Sequence, residues 1–383
     1  MTRSTPLLCA VTLMIATTQT QATEPAQATK TELGRALFFD VNLSANRNQS
    51  CATCHDPGNG FADPRDNGVA GAASLGSDNS SVGDRNAPTA SYAAFSPAFE
   101  LKNGKYQGGQ FHDGRVNTLA EQAMGPPTNP VEMAMADKPA ILQRLLENTA
   151  YRSSFAALYG PKVLNDAEQA YLAMADSIET FEKTEFFSPF DSRYDRYLKG
   201  EYELSAQEEL GRTLFFSQQF TNCNQCHQLQ SRPGADQETF TNYQYFNIGT
   251  PTNTELRKVN GVSPAHQDLG LLDNPAVTDP AQAGKFKVPT LRNVAVTGPY
   301  MHNGVFQDLR TVVLFYNKYN SRSAKRQINP ETTAQWQVPE VPENIALKEL
   351  ESGPALDNKR IDALVAFMKT LTDQRYEYLL EKK

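Results

Sequence analysis

The sequence predicts a mainly α-helical protein that contains two copies of one domain. The first observation is the motif Cys-x-x-Cys-His, which occurs at residues 51–55 and again at residues 223–227. The second is a repeat upstream of each motif, Leu-Gly-Arg-Ala-Leu-Phe-Phe at residues 33–39 and Leu-Gly-Arg-Thr-Leu-Phe-Phe at residues 210–216. Because both patterns recur in the same order, we expect an internal duplication.

The Cys-x-x-Cys-His motif is the attachment signature of c-type haem. Its two thiols form thioethers with the porphyrin, and the His that follows coordinates the iron from the proximal side. A zinc site could use two Cys-x-x-Cys pairs, and a redox dithiol could use one. Neither explains a His directly after both pairs, nor the export signal described below. We therefore expect two cytochrome c-like domains with two covalently bound haem c groups, held by Cys51, Cys54 and His55 and by Cys223, Cys226 and His227.

The N-terminus has the pattern of a secretory signal peptide. Arg3 precedes an apolar stretch at residues 6–16, and Thr-Gln-Ala at residues 20–22 forms a small-x-small cleavage site. The fifth cysteine, Cys9, lies in this leader, so no thiol remains for a disulfide framework. No later apolar run is long enough to span a bilayer. We predict a signal peptide at residues 1–22, a periplasmic protein and no membrane segment.

The charge of the chain excludes one class of partner. The formal net charge is −7, and no basic stretch of the kind that binds nucleic acid is present. Nucleic acid is therefore not an expected partner.

A short helix is predicted upstream of each haem motif. Thr29 with Glu32, and Ser205 with Glu208, have the Ser/Thr-x-x-Glu spacing of a capping box. Residues 138–148 are also predicted to be helical. A longer helix is predicted at residues 166–187, where apolar residues recur at steps of four and three and form one stripe. Such a stripe is more typical of core packing than of contact with a cofactor. The stripe consists of Ala167, Tyr171, Met174, Ile178 and Phe181.

Turn-forming residues separate the two predicted domains. We expect a first domain at residues 23–187, a linker at residues 188–204 that begins with Ser-Pro-Phe, and a second domain at residues 205–383. A terminal helix capped by Asp357 or Asn358 closes the second domain. Its core face is predicted to carry Ile361, Leu364, Val365 and Met368.

Long ordered loops are predicted after both haem motifs. Residues 56–110 and 228–310 are rich in Gly, Pro, Asn and Asp and show little alternating pattern. We expect these loops to wrap the haems, which then form part of the core.

The chemistry of each haem depends on the sixth ligand of its iron. A second strong ligand gives an electron-transfer centre, whereas an open distal site admits peroxide or oxygen. Spacing alone does not choose a sixth ligand for the second haem, although Met301 is a reasonable candidate. The remaining candidates are His112, His266, His302, Met124, Met133, Met135, Met174 and Met368.

Four stretches of the chain resemble the bacterial di-haem cytochrome c peroxidase superfamily. They are Phe-Lys-Val-Pro-Thr-Leu-Arg-Asn at residues 286–293, Thr-Gly-Pro-Tyr-Met-His-Asn-Gly at residues 297–304, Asn-Pro-Val-Glu-Met at residues 129–133 and Ser-Pro-Phe-Asp at residues 188–191. The resemblance covers nearly the whole predicted mature chain.

The resemblance implies a ligand for the second haem. In ordinary members of the superfamily, the residue fourteen positions after the His of the second stretch is a Met that ligates the electron-transfer haem. Here that position, counted from His302, is Tyr316, and a Tyr at this place marks the methylamine-utilisation branch. A phenolate is a hard, anionic donor that stabilises high oxidation states of iron. From the residues alone, Tyr316 would be interpreted as a structural residue, one of fifteen tyrosines, that is buried on a helix.

The resemblance also implies roles around the first haem and between the haems. His55 becomes the proximal ligand of a five-coordinate, high-spin haem in the first domain. Its distal pocket is expected to consist of Gln122, Pro126 and Glu132, with Glu132 moving the proton that peroxide chemistry requires. A calcium ion is expected between the haems, bound by the side chain of Asn86 and the backbone carbonyls of Thr297 and Pro299.

The chain departs from the superfamily pattern at two positions that matter for electron transfer. Residues 111–115 read Phe-His-Asp-Gly-Arg, where relatives usually have Trp at the position of His112. Thr221 stands where the pattern of the branch has a surface Trp that passes oxidising equivalents from the partner. The single Trp of the chain, Trp336, lies far from both haem motifs in sequence. These departures concern the route of oxidation and not the haem positions.

The resemblance implies a haem-dependent oxidoreductase that uses hydrogen peroxide, or oxygen plus electrons. In that family reaction, the oxidising equivalents spread over both irons as a bis-Fe(IV) state. They complete tryptophan tryptophylquinone in the methylamine dehydrogenase precursor, the expected protein partner, at a distance. The alternative is a cytochrome c peroxidase that takes electrons from a small electron-donor protein. A simple two-haem electron carrier is the third hypothesis, and it requires both sixth positions to be filled.

Overall fold

The computed structural model describes Met1, residues 26–230 and residues 232–381. The predicted signal peptide beyond Met1 lies outside the described residues. In the described part 38% of the structure is helical, and the strands pair only as two short antiparallel ribbons, β1 with β2 and β3 with β4. The prediction of a mainly α fold is confirmed. No helix in this part is long and apolar enough to cross a membrane.

The described residues form the following elements in chain order. The α-helices are α1 (Lys30–Phe38), α2 (Cys51–Cys54), α3 (Leu119–Ala123), α4 (Lys138–Glu147), α5 (Thr149–Tyr159), α6 (Ala167–Glu182), α7 (Arg193–Leu198), α8 (Ala206–Phe215), α9 (Thr254–Asn260), α10 (Leu309–Asn317), α11 (Leu347–Leu350) and α12 (Asn358–Lys369). The strands are β1 (Glu100–Lys102), β2 (Lys105–Gln107), β3 (Tyr245–Phe246) and β4 (Phe286–Lys287).

Helix α1 packs closely against α6 in the N-terminal half. The predicted capping box at its start forms, because Thr29 accepts from the amide of Glu32 and the Glu32 carboxylate accepts from the amide of Thr29. Gly34 allows the close approach, since a Cβ atom at this position would overlap the carbonyl of Ser177. In the predicted stripe of α6, Tyr171, Met174, Ile178 and Phe181 are buried, whereas Ala167 is half-buried. The helix ends at Glu182 and not, as predicted, at residue 187.

Helix α8 packs against α12 in the same way in the C-terminal half. Ser205 and Glu208 form the predicted capping box. Gly211 occupies the place that Gly34 has in the first helix pair, because a Cβ atom there would overlap the carbonyl of Ala363. The predicted terminal helix is confirmed: Asp357 caps α12. Its buried residues are Ile361, Ala363, Leu364, Phe367 and Met368, whereas Val365, predicted for the same face, is only partly buried at its edge.

The middle of the chain contains two helices that the sequence did not predict. The helix expected at residues 138–148 ends at Glu147, and Asn148 caps a further helix, α5. Helix α7 lies inside the predicted linker, where Ser192 and Asp195 form a capping box. The Ser-x-x-Asp pattern at residues 192–195 does not by itself predict α7, because it follows directly after turn-forming residues.

The two halves of the chain are joined by hydrogen bonds and ion pairs. The amide of Asn86 donates to the carbonyl of His302 at 2.6 Å, and the amide of Lys287 donates to the carbonyl of His112 at 2.9 Å. The Arg85 guanidinium pairs with Asp268 at 2.7 Å. These contacts bring residues around the first motif's loop beside residues that precede α10.

Candidate functional site

A mostly apolar cavity of about 390 Å³ lies between the two halves. Both His55 and His227 line it, and so do residues of α3, α6, α10 and α12. The cavity therefore brings together the two sequence motifs, which are more than 160 residues apart along the chain. An apolar cavity with a His at each of two places has the character required of a site for two flat, hydrophobic cofactors.

The first motif forms a short helix that ends at His55. Ser50 caps α2 together with Thr53, and the amide of His55 donates to the carbonyl of Cys51 at 2.9 Å. The Nδ1 atom of His55 lies 3.3 Å from the carbonyl oxygen of Phe61. A ring whose Nδ1–H donates to a carbonyl presents its Nε2 lone pair to a metal. Burial lowers the pKa of His55, which favours the neutral, ligating form.

The second motif repeats this geometry. The amide of His227 donates to the carbonyl of Cys223 at 2.9 Å. The Nδ1 atom of His227 lies 3.1 Å from the carbonyl oxygen of Phe240. Burial lowers the pKa of His227 to about 4, so the ring is neutral at pH 7. The two phenylalanines that accept from these histidines, Phe61 and Phe240, both have positive φ, 56° and 54°.

A pair of Pro-Thr loops supports the two phenylalanines, and the sequence reading did not find it. The Thr89 hydroxyl donates to the carbonyl of Gly60 at 2.5 Å, and the Thr290 hydroxyl donates to the carbonyl of Thr239 at 2.7 Å. The signal was present as Ala-Pro-Thr at residues 87–89 and Val-Pro-Thr at residues 288–290. It is too short to be recognised as a repeat without the contacts.

The four motif cysteines are free thiols in the described structure. Burial raises the pKa of all four, that of Cys226 to about 12. Cys223 and Cys226 line the cavity. This donor set, two thiols and one imidazole beside an apolar space at each motif, fits covalently attached haem.

Tyr316 lines the cavity, as do Val312 and Val313 of the same helix, α10. His227 of the second motif lines it too. Burial raises the pKa of the Tyr316 phenol, and the nearby Cys226 and Cys223 raise it further, so the ring lies near the second motif. No hydrogen-bond partner for the phenol oxygen is found among the described residues. A half-buried phenol without a hydrogen-bond partner, lining the cavity near a haem motif, is available as a metal ligand.

The three residues predicted for the first distal pocket do not share one surface. Gln122, on α3, lines the cavity. Pro126 and Glu132 lie outside the lining, in the turn that follows α3. Burial raises the pKa of Glu132, the Arg115 guanidinium lowers it, and the carboxyl lies close enough to Cys54 to raise the pKa of that thiol. Glu132 is therefore on the side of the first motif.

The three predicted calcium ligands come from both halves of the chain. Asn86, Thr297 and Pro299 all line the cavity. The Nδ2 atom of Asn86 donates to the carbonyls of Gly71 and Ala72 at 3.3 and 3.2 Å, which leaves Oδ1 as a free donor to a cation. Among the described residues no cluster of three His, Cys, Asp or Glu side chains could hold a metal. A cation here would depend on amide and carbonyl oxygens.

Two histidines other than the motif histidines line the cavity. His112 is held through Nε2, 3.0 Å from the carbonyl oxygen of Asn86, and burial lowers its pKa to about 4. His302 stacks on Phe286 with ring centroids 3.6 Å apart, and its buried Nε2 has no partner in the described structure. His266 is exposed and does not line the cavity.

Two of the methionine candidates, Met301 and Met368, also line the cavity. Met133, Met135 and Met174 are buried in the core beside α1 and α6, with Met124 packed against them. Those four are therefore poorly placed to serve the second haem.

The two positions that depart from the superfamily pattern are not equivalent. Thr221 is only 5% exposed, and its hydroxyl donates to the carbonyl of Leu214 at 2.5 Å. It is therefore no surface relay. Trp336 packs against Phe306 and Phe315 behind α10, away from the lining of the cavity.

Two buried charged residues at the cavity were missed from the sequence. Glu182, at the end of α6, lines the cavity with one carboxylate oxygen unpaired, and burial raises its pKa to about 8. Lys287 donates to the carbonyl of Gly109, and burial lowers its pKa to about 8. Neither carries a local sequence signal, because only the tertiary contacts bury them.

The comparisons with known proteins agree with this geometry. The family profile "Di-haem cytochrome c peroxidase" matches residues 28–203. The chain is 53% identical to the methylamine utilization protein MauG of Paracoccus denitrificans over 374 residues, which is 97% of this chain and 96% of that protein. The chain belongs to the di-haem cytochrome c peroxidase family. It is accordingly a haem-dependent oxidoreductase with two haem groups.

Two peroxidases are similar to this chain at lower sequence identity. The chain is 32% identical to cytochrome c551 peroxidase of Pseudomonas aeruginosa, over 76% of this chain and 72% of that protein. Its fold matches the crystal structure of the diheme peroxidase BthA from Burkholderia thailandensis with a TM-score of 0.78 and 31% identity, covering 93% of this chain and 88% of that one. This chain is thus similar to two peroxidases as well as to a MauG protein. Membership of the family therefore does not by itself distinguish peroxidase activity from a role in methylamine utilisation.

Proposed function

We propose that this protein is a periplasmic di-haem c oxidase that completes tryptophan tryptophylquinone in the methylamine dehydrogenase precursor. It uses hydrogen peroxide, or oxygen plus electrons, and oxidises the precursor at a distance through a bis-Fe(IV) state of its two haems. The observation that carries the proposal is Tyr316, whose half-buried phenol lines the cavity near the second motif without a hydrogen-bond partner among the described residues. The 53% identity to a MauG protein supports it.

The haems supply the redox chemistry, and the chain supplies their ligands and surroundings. We propose that Cys51, Cys54 and His55 hold the high-spin haem of the first domain. Cys223, Cys226 and His227 would hold the second haem, and Tyr316 would supply a further ligand to its iron. The neutral state of both histidines, favoured by their burial and by the carbonyls at Nδ1, supports this assignment.

The first distal pocket is proposed to consist of Gln122, Pro126 and Glu132. The raised pKa of the Glu132 carboxyl suits a group that accepts a proton from one peroxide oxygen and returns it to the other. Gln122 already lines the cavity and can orient the peroxide by hydrogen bonding. Calcium is proposed to bind Asn86 Oδ1 and the carbonyls of Thr297 and Pro299.

We further propose that residues 23–187 and 205–383 are two domains from an internal duplication, joined by residues 188–204. Three features that occur once in each half support this origin. They are the close glycine contact of a helix pair, the Pro-Thr loop and the phenylalanine whose carbonyl accepts from the motif histidine. A chance resemblance would not repeat the same hydrogen bonds around two motifs.

A cytochrome c peroxidase that takes electrons from a small electron-donor protein is the second candidate. The buried Thr221 favours it, because a threonine hydroxyl held by a carbonyl cannot relay an oxidising equivalent from a protein surface. The sequence similarity to cytochrome c551 peroxidase agrees with this alternative.

The two candidates are separated by one experiment on the purified holoprotein. Hydrogen peroxide is added to the diferric protein with the methylamine dehydrogenase precursor, and quinone absorbance is followed; a parallel sample contains reduced cytochrome c instead. We expect quinone to form and cytochrome oxidation to be slow. Rapid cytochrome oxidation without quinone would replace the proposed function with the peroxidase. Two six-coordinate haems that peroxide does not oxidise would leave only the electron carrier.

A further inference from the structure

Tyr92 belongs to a set of packed residues that reaches both haem motifs. Its backbone amide donates to the carbonyl of Phe187 at 3.2 Å. The Phe187 ring stacks on Phe61, with centroids 4.3 Å apart, and the carbonyl of Phe61 is the acceptor for His55. Tyr92 is therefore linked to the first proximal histidine through two packed aromatic residues.

The same set of residues connects Tyr92 to the second proximal histidine. The Arg292 guanidinium is 5.3 Å from the centroid of the Tyr92 ring and 5.4 Å from that of the Phe240 ring. The carbonyl of Phe240 is the acceptor for His227. Arg292 is fully paired, since it binds Asp195 through two hydrogen bonds. Tyr92 is thus linked to the second proximal histidine through Arg292 and Phe240, as it is to the first through Phe187 and Phe61.

The phenol of Tyr92 is hydrogen-bonded to a carboxylate. Tyr92 Oη donates to Asp373 Oδ1 at 2.5 Å and accepts from the amide of Phe190 at 3.2 Å. The other oxygen of Asp373 accepts from Asn293 Nδ2 at 2.8 Å. Tyr92 is 2% exposed and Asp373 is fully buried, so no water competes for this bond. We call the four residues Tyr92, Arg292, Asn293 and Asp373 the proximal junction.

Tyr92 differs from the other tyrosines that line the cavity. Tyr300 donates to the carbonyl of Val294, which cannot take up a proton. Tyr243 has a buried hydroxyl without a partner, and Tyr316 has no partner among the described residues. Only Tyr92, among the cavity-lining tyrosines that the structure describes, has a carboxylate in position to receive its proton.

We propose that Tyr92 is a redox relay between the two haems and that Asp373 is its proton acceptor. When the first haem has been oxidised by peroxide, it takes one electron from Tyr92, and the phenol proton moves to Asp373 Oδ1. The neutral phenoxyl then takes one electron from the second haem and recovers the proton from Asp373. In sum one electron passes from the second haem to the first, and Tyr92 and Asp373 return to their starting states.

The charges around the proximal junction agree with this step. Burial raises the pKa of Asp373 to about 6, and Asp191 raises it further, while the hydrogen bonds from Tyr92 and Asn293 and the charge of Arg292 oppose the increase. The carboxylate is therefore mostly ionised at pH 7 and able to accept a proton. Burial raises the pKa of Tyr92, so the phenol does not ionise before it is oxidised. A phenol is oxidised more easily when its proton leaves with the electron.

This relay would provide a route for electrons between the haems although position 112 is histidine and not tryptophan. His112 is neutral and fixed by Asn86, and an imidazole is harder to oxidise than an indole or a phenol that loses its proton. The inference depends on the proposed function, since it requires that peroxide oxidises the first haem. It does not depend on the protein partner.

The test is a stopped-flow measurement of the diferric holoprotein with peroxide and without any partner protein. We compare wild type with Tyr92→Phe, Asp373→Asn and the control Tyr194→Phe, whose buried hydroxyl has no hydrogen-bond partner and does not line the cavity. We expect oxidation of the second haem to slow at least about tenfold in the first two variants only. The wild-type rate should rise with pH through about 6 and fall in D₂O, and Asp373→Asn should lose both effects.

The relay would be overturned if Tyr92→Phe and Asp373→Asn, with both haems bound, oxidised the second haem at rates within about twofold of the wild-type rate. If either variant does not fold, incorporation of fluorotyrosine changes the phenol without removing a contact, and an unchanged rate has the same meaning. Freeze-quench EPR with ring-deuterated tyrosine gives a second readout, since a radical signal must narrow on labelling and vanish in Tyr92→Phe. The precursor assay is a separate measurement. If it yields no quinone while the two variants still slow oxidation of the second haem, the proposed substrate is wrong and the relay stands.

Discussion

At the scale of single residues, the chemistry of this protein depends on side chains whose environment the sequence does not display. Tyr316 has no sequence signal beyond its distance from His302, yet its phenol lies near the second motif within the cavity. Glu182 is buried at the same cavity with an unpaired oxygen. Local sequence indicates neither property, because burial is produced by elements distant along the chain.

Replacing Tyr316 by Met tests the ligand assignment. A thioether favours reduced iron, so we expect Tyr316→Met to keep both haems but to raise the potential of the second haem by on the order of 0.2 V. The state with both irons at Fe(IV) should no longer form, as seen by Mössbauer spectroscopy. The control is Tyr319→Phe, one turn further along the chain, whose hydroxyl donates to the carbonyl of Ile248 instead. Spectra of Tyr316→Met that match wild type would show that Tyr316 is not a ligand.

At the scale of elements, each haem motif is positioned by a helix pair with a glycine at its contact. Gly34 and Gly211 lie against the backbone carbonyls of Ser177 and Ala363. Both belong to the repeated Leu-Gly-Arg segment of the sequence. The repeat indicated two related helices, and only the structure explains why the glycine is part of it: any larger residue would separate the helices.

Substitution at these glycines should destabilise the fold. A methyl group at Gly34 or Gly211 must displace the partner helix, so Gly34→Ala and Gly211→Ala should each lower the free energy of unfolding by about 2 kcal/mol, despite the better helix propensity of Ala. The matched control is Gly83→Ala, where the nearest atom to an added Cβ is 3.9 Å away. Urea denaturation of the three variants measures the difference. An effect in Gly83→Ala equal to the other two would rule out the helix contact as the cause.

At the scale of the whole molecule, the two halves share one cavity and one interface. Asn86 comes from the N-terminal half, whereas Thr297 and Pro299 come from the C-terminal half, and all three line the cavity. The proximal junction also joins the halves, since Tyr92 binds Asp373 across a sequence separation of 281 residues. Events at one haem motif can therefore reach the other through contacts on two sides.

Removal of calcium tests whether a cation links the halves. We expect one calcium per chain by elemental analysis, and its removal by a chelator should lower the Tm by about 5 °C, since a ligand that binds only the folded state stabilises it. Adding calcium back should restore the Tm. Asn86→Ala should lose the ion, whereas Asn42→Ala, at an exposed position, should keep it. A Tm of Asn86→Ala that still responds to calcium would exclude this site.

The sequence by itself determined the mainly α class, the capping boxes, the terminal helix and the family, because these depend on local patterns and on a motif that occurs twice. It also located the motif histidines, whose neighbours in the chain form their own support. Only the tertiary structure decided which other residues meet at the cavity, since Gln122, Glu182, Lys287 and Tyr316 come from four separate segments. It likewise placed Asp373 beside Tyr92. A carboxylate and a phenol so far apart along the chain become partners only when both halves have folded around the same apolar space.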